Sequence, residues 1–103
     1  MFAEEYVKTE DCVSIFCRFQ KKAGLWLVFL HGGGGSLSAW FLQEAFFSKK
    51  DYSLLFIDMR GHGMSDKGAK QEFFELQNFL GDIDAVFKHF KIKKATIIGH
   101  CFG

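Results

Sequence analysis

The sequence predicts a single α/β domain in which a mainly parallel sheet is covered by helices on both faces. Three short runs of the chain are apolar on both sides of an extended backbone, a pattern typical of strands in a parallel sheet. Two segments between these runs carry apolar residues at helical spacing. Alternation of strand and helix makes two crossover units, and such units place helices on both faces of a parallel sheet.

The start of the chain predicts an antiparallel pair of strands. From Cys12 onward apolar and polar side chains alternate, which is the period of a strand with one buried face. The apolar members on one side are Val13, Ile15, Cys17 and Phe19. Because Tyr6 and Val7 precede this segment, we expect an earlier strand that pairs with it in an antiparallel manner.

The three apolar runs, residues 25–30, 54–57 and 95–98, are predicted as the parallel strands. A helix is predicted over 37–49, with Ser36 or Ser38 as its cap. A second, amphipathic helix is predicted over 72–90. Its expected buried stripe consists of Phe73, Leu76, Leu80, Ile83, Phe87 and Phe90. We expect the polar residues Glu75, Asp82 and Lys88 to face elsewhere.

Length and composition exclude several classes of protein. A chain of 103 residues forms one domain at most, and 49% hydrophobic residues exceed what a disordered segment carries. The net charge of +1, without a basic cluster, indicates neither a nucleic-acid partner nor a membrane partner. The odd number of cysteines, three, together with the lack of a signal segment, predicts a reducing, cytoplasmic location.

Each predicted parallel strand is followed by an unusual loop. These loops cover residues 31–36, 58–65 and 99–103, and they are expected at the carboxyl edge of the sheet, where open α/β sheets bind ligands. The last loop reads Gly99-His100-Cys101-Phe102-Gly103. Small residues two positions on either side of a central residue allow a tight turn from strand to helix, which predicts Cys101 as a nucleophile at the tip.

Two backbone amides are candidates to bind an oxyanion beside this nucleophile. The N–H of Phe102 follows the proposed nucleophile directly. The second donor is expected in the glycine run, where residues without Cβ allow close approach of the backbone. We assign it to Gly33, with Gly32 and Gly34 as alternatives.

Three ordered motifs resemble those of the α/β-hydrolase fold family, in the branch of epoxide hydrolases, haloperoxidase-like esterases and C–C bond hydrolases. They are His31-Gly32, the run D-x-R-G-H-G-x-S from Asp58 to Ser65, and G-x-nucleophile-x-G from Gly99 to Gly103. The resemblance implies a covalent acyl-enzyme on Cys101, with no metal and no organic cofactor. It also implies structural roles at the site for His31, Gly32, Gly34, Asp58, Arg60, Gly99, His100 and Gly103.

The sequence departs from the family pattern in two ways. Most relatives carry Ser at the elbow and some carry Asp, whereas Cys101 is similar to dienelactone-hydrolase-like enzymes at this one position. The family order places an acid and a histidine base after the nucleophile. No residue follows Gly103, so residues 1–103 are expected to be an incomplete domain of five strands and two helices, inactive alone.

Several other interpretations compete with the hydrolase prediction. A complementary chain that carries the missing strands, or self-association, would make the protein a non-enzymatic pairing module. The chain also resembles a dinucleotide-binding unit in its order of strand, glycine run, helix and Asp58. The match fails in detail, because the third small residue of that motif falls on Ser38 or Leu37. A metal site at Cys12 and Cys17 lacks a second pair of ligands. The preferred function is hydrolysis of a small ester, thioester, lactone or related substrate.

Overall fold

A computed structural model describes residues 2–100 as one five-stranded sheet with helices packed against it. The strands are β1 (Ala3–Lys8), β2 (Ser14–Gln20), β3 (Trp26–Leu30), β4 (Ser53–Ile57) and β5 (Ala95–Gly99). The α-helices are α1 (Phe41–Phe47) and α2 (Leu76–His89). Each α-helix is preceded by a short 3₁₀ segment, Leu37–Trp40 before α1 and Gln71–Phe74 before α2.

The strand order across the sheet is β1-β2-β4-β3-β5. β1 pairs with β2 and β2 pairs with β4 in antiparallel manner, whereas β3 pairs in parallel with both β4 and β5. The α/β class, the antiparallel start and the parallel continuation are therefore confirmed. The sequence pattern did not indicate that β4 lies between β2 and β3.

Both faces of the sheet are apolar and each face is covered by a different helix. The α1 face is built on Leu27, Phe29, Leu54 and Phe56, with Leu37, Trp40 and Phe47 packed against them. The α2 face is built on Val28, Leu30, Leu55 and Ile57, and it continues across β1 and β2. Because successive side chains of a strand point to opposite faces, the unbroken apolar runs of β3 and β4 supply both layers.

The predicted buried stripe of α2 is confirmed for Phe73, Ile83, Phe87 and Phe90, which pack against the core, and it is wrong for Leu76 and Leu80. Leu76 and Leu80 are exposed, whereas Phe79, Asp82 and Val86 are buried. The spacing of the apolar residues predicts that Asp82 faces away from this stripe, and a carboxylate is rarely buried without a partner. Here Arg60 lies beneath the helix and provides that partner, so the helix presents a face that includes a charged residue.

The start of α1 also differs from the prediction. Neither Ser36 nor Ser38 caps a backbone N–H; their hydroxyl oxygens lie 2.7 Å apart and bond to each other. The Leu37 N–H instead donates to the Asp58 carboxylate, at 2.7 Å. The first turn is therefore held by the loop after β4.

No helix within residues 2–100 is both long enough and apolar enough to span a bilayer.

Candidate active site

The loops after β3 and β4 lie at one edge of the sheet together with the end of β5 at Gly99 and His100, because these three strands run in parallel. Residues 31–36 follow β3 and residues 58–65 follow β4. The predicted nucleophile Cys101 and its neighbours Phe102 and Gly103 lie outside the described residues. The other predicted site residues can each be placed.

His31 is fully buried and both of its ring nitrogens are engaged. Nδ1 lies 2.8 Å from the carbonyl oxygen of Gly32, and Nε2 accepts the N–H of Met59 at 3.0 Å. A carbonyl can only accept, so the hydrogen is on Nδ1 and the ring is neutral. Burial lowers the pKa of His31, which favours the same neutral form. This ring ties the loop after β3 to the loop after β4.

The glycine run forms a tight turn. The Gly35 N–H donates to the Gly32 carbonyl at 3.0 Å, and Gly34, with φ +81°, occupies the left-handed region that glycine adopts without strain. The Gly34 N–H donates to Nε2 of His62 at 3.0 Å. The Gly33 N–H has no acceptor within residues 2–100.

Asp58 holds the loops after β3 and β4 together. One carboxylate oxygen accepts the N–H of Leu37, and the other accepts the N–H of Met64 at 2.8 Å. Gly63, at φ +50°, passes so close that a Cβ at this position would collide with the same carboxylate. Asp58 is thus an acceptor of backbone N–H groups.

Arg60 reaches beyond the loop that carries it. Its guanidinium donates to both carboxylate oxygens of Asp82 on α2, at 2.7 and 2.6 Å, and to Asp11 in the turn between β1 and β2. It also donates to the Phe73 carbonyl at 3.1 Å and lies over the Phe73 ring. These carboxylates, Asp82 first, raise the pKa of Arg60. The side chain therefore joins α2, the turn between β1 and β2 and the segment that carries Phe73.

Gly99 and His100 lie directly beside the loop after β3. Gly99 pairs with Leu30 in the parallel register, and the His100 N–H donates to the Leu30 carbonyl at 3.2 Å. A cavity of about 240 Å³ opens next to this contact. Its lining residues are His31, Gly32, Ala39, Trp40, Gln43 and His100. The indole N–H of Trp40 is buried and has no acceptor among the described residues.

The two cysteines within the described chain are free thiols. Cys17 is buried on the α2 face, and burial raises its pKa to about 12. Cys12 is exposed in the turn before β2. Residues 2–100 contain no group of three His, Cys, Asp or Glu side chains arranged to hold a metal ion.

The family profile described as alpha/beta hydrolase fold matches residues 26–103, which is most of the chain. The chain belongs to the alpha/beta hydrolase fold family. Within this family it is 34% identical over 82 residues to Protein ABHD8 of Homo sapiens, an alignment that covers 80% of this chain and 19% of that protein. It is 33% identical over 99 residues to a non-heme chloroperoxidase of Burkholderia pyrrocinia, covering 95% of this chain and 35% of the relative.

Solved structures of alpha/beta hydrolases share the same arrangement. Epoxide hydrolase VrEH1 from Vigna radiata superposes with a TM-score of 0.90 over 99% of this chain and 31% of that structure, at 20% identity. At this identity the likeness shows the fold alone. The chain spans about a fifth of the length of ABHD8 and about a third of the chloroperoxidase.

Sequence reasoning missed three residues that organise this edge of the sheet. His62 belongs to the motif from Asp58 to Ser65 but has no predicted partner, Asp82 is predicted to face away from the buried stripe, and Asp11 has no predicted role. A buried guanidinium requires acidic partners, but the burial of Arg60 is seen only in the fold, so the sequence does not identify Asp11 and Asp82 as those partners. No local signal predicts that His62 accepts the Gly34 N–H.

Proposed function

We propose that this chain carries the nucleophile and the oxyanion-binding part of a hydrolase that cleaves an ester, thioester, lactone or related carbonyl compound through Cys101. One observation carries the proposal: the His100 N–H donates to the Leu30 carbonyl, beside the first residue of the glycine loop. Cys101 is the next residue in the sequence. The relatives named as a chloroperoxidase and as epoxide hydrolases are enzymes of the same fold.

The proposed reaction has two steps. The Cys101 thiolate attacks the carbonyl carbon, a C–S bond forms, and the carbonyl electron pair moves to oxygen. The resulting oxyanion accepts hydrogen bonds from the N–H groups of Gly33 and Phe102. The intermediate then expels the alcohol or thiol leaving group, which takes up a proton, and leaves a thioester. Water hydrolyses this thioester to the carboxylic acid and restores the thiol.

We expect that none of the four histidines of residues 1–103 is the general base. His31 and His62 have both ring nitrogens engaged in contacts that hold the loops. His89 contacts Glu5 on β1, at the edge of the sheet opposite β5. The fourth, His100, lines the cavity, but it is adjacent to the nucleophile in sequence, and we expect neighbouring side chains on a tight turn to point in different directions. General base assistance is worth about 10² to 10⁴ in rate, so we expect acylation of this chain alone without efficient turnover.

The cavity beside Gly32 is the proposed binding site for the small end of the substrate. At about 240 Å³ it is smaller than the roughly 300 to 1,000 Å³ of typical sites for drug-sized ligands. The Trp40 N–H would donate to an oxygen of the bound molecule, which would satisfy this buried donor. We therefore favour short acyl groups over long ones.

The test compares two electrophiles at two thiols, Cys101 and the exposed Cys12. p-Nitrophenyl acetate reacts through an oxyanion, whereas iodoacetamide alkylates by displacement at a saturated carbon and forms none. We expect mass spectrometry to find the acetyl thioester on Cys101 well before it appears on Cys12. With iodoacetamide, the preference for Cys101 over Cys12 should be much smaller. Cys101→Ala should abolish the fast phase. Equal acetylation of Cys101 and Cys12 would contradict the proposed nucleophile.

A pairing module remains the second candidate, and one observation favours it. β5 pairs only with β3 within the described chain, and Ile97 on β5 is 50% exposed although it lies in an apolar strand. An open strand edge beside an exposed apolar side chain is a template for association. Sedimentation should show a mass that rises with concentration, and Ile97→Lys should reduce this rise. A monomer at all concentrations, alone and with candidate partner chains, would exclude this function.

A further inference from the structure

His62 links the loop after β4 to the glycine turn through both ring nitrogens. Nδ1 lies 2.9 Å from the Arg60 carbonyl oxygen, and Nε2 lies 3.0 Å from the Gly34 backbone nitrogen. A carbonyl accepts and a backbone N–H donates, so the two partners require a hydrogen on Nδ1 and a free lone pair on Nε2. The Arg60 carbonyl therefore makes the other end of the ring an acceptor.

This contact determines how the amides of the glycine turn are used. The Gly35 N–H is engaged by the Gly32 carbonyl within the turn, and the Gly34 N–H is engaged by His62. Neither Gly32 nor Gly33 has an acceptor for its N–H within residues 2–100, and Gly33 is the one joined directly to the anchored Gly34. If Gly34 turned away from His62, the left-handed backbone at Gly34 would lose its anchor, and the Gly33 N–H would change direction.

We propose that His62 is a positioning residue that holds the glycine turn by accepting the Gly34 N–H, and thereby presents the Gly33 N–H as the oxyanion donor. The inference rests on the proposed function, because it assigns Gly33 its task. His62 has no direct role in proton transfer, since both nitrogens are engaged. Its neighbour His31, with ring centroids 5.1 Å apart, holds the base of the same turn through Gly32.

Two substitutions separate the two contacts of the ring. His62→Gln places an amide oxygen near the position of Nε2 and retains an acceptor for Gly34. His62→Asn places its amide near Nδ1, where it can still donate to the Arg60 carbonyl, but nothing reaches Gly34. The control is His89→Asn, the same substitution at an exposed histidine on α2.

The first readout is amide hydrogen exchange followed by NMR. We expect His62→Asn to speed exchange of the Gly34 amide about tenfold, as loss of one hydrogen bond of ordinary net strength would. His62→Gln should restore most of the protection, and His89→Asn should not alter it. Unchanged exchange in His62→Asn, with the amides of β3 and β4 still protected, would overturn the proposal.

The second readout is the ratio of the acetylation rate of Cys101 by p-nitrophenyl acetate to its alkylation rate by iodoacetamide. His62→Asn should lower this ratio about tenfold or more, because a misplaced donor affects only the reaction that forms an oxyanion. A merely structural role for His62 would lower both rates together and would overturn the proposal. Recovery of the ratio in His62→Gln supports it.

A third readout needs no variant and so does not depend on folding of the substituted chains. Nitrogen NMR of the unsubstituted protein should show His62 with a protonated Nδ1 and an unprotonated Nε2. The opposite tautomer would overturn the proposal. If Cys101 shows no preference for the ester in the unsubstituted protein, the proposed function fails, whereas the exchange and tautomer readouts still judge whether His62 anchors the turn.

Discussion

Replacement of Asp82 tests whether the ion pair under α2 is as costly to break as its burial implies. The Arg60 and Asp82 side chains are 1% and 4% exposed, and two hydrogen bonds of 2.7 and 2.6 Å join them. Asp82→Asn keeps the size of the side chain but removes the charge and turns an NH₂ group toward the guanidinium. Breaking a buried pair from one side costs about 3 to 5 kcal/mol, because a buried charge loses its partner.

We expect the lower end of this range, about 3 kcal/mol, because Arg60 keeps a second carboxylate. Asp11 remains 3.1 Å from the guanidinium, although it is 48% exposed and therefore screened by water. The free energy of unfolding falls by about 1 to 3 kcal/mol for each molar of urea, so the urea concentration at the unfolding midpoint should fall by about 1 M or more. The assay is urea unfolding followed by circular dichroism at neutral pH.

The matched control is Asp84→Asn, the same change on the same helix at a carboxylate that is 64% exposed and paired with Lys88. We expect no resolvable shift of the midpoint there. The double change of Arg60→Met with Asp82→Leu should recover part of the loss, since apolar residues can replace a buried pair. Equal midpoints for Asp82→Asn and Asp84→Asn would refute the argument from burial.

Three further outcomes are expected. Lys91→Gly should raise the free energy of unfolding by about 0.5 to 1 kcal/mol, because Lys91 follows Phe90, the C-terminal cap of α2, and lies in the left-handed region at φ 57°. Lys93→Gly should not raise it, and equal effects of the two substitutions in urea unfolding would contradict this. Cys17 should resist iodoacetamide in the folded protein while Cys12 reacts, and mass spectrometry showing equal labelling would mean that Cys17 is accessible. The His31 ring should titrate below the ordinary value of about 6.5 in an NMR pH series. Unfolding frees this ring to take up a proton, so the contribution of His31 to stability is present above a pH of about 6.5 and is lost as the pH falls below about 6.5. An NMR titration midpoint of His31 above about 6.5 would contradict the buried, neutral assignment.

The sequence by itself determined the elements of this protein and the edge at which its loops gather. Alternation in β2 and unbroken apolar runs in β3 and β4 are local patterns, and each reports how many faces of a strand are buried. The parallel direction of β3, β4 and β5 then brings the loops that follow them to one side. Periodicity is sufficient for these conclusions because it depends only on neighbours along the chain.

Only the tertiary structure decided which polar groups meet. Asp82 is buried because Arg60, 22 residues earlier, lies beneath α2, and Gly34 is anchored because His62, 28 residues later, offers an unprotonated nitrogen. The energy of such contacts depends on distance and on exclusion of water, and neither quantity is written in the local pattern of apolar and polar residues. The phase of α2 and the direction of the glycine turn therefore follow from partners that are distant in sequence and adjacent in the fold.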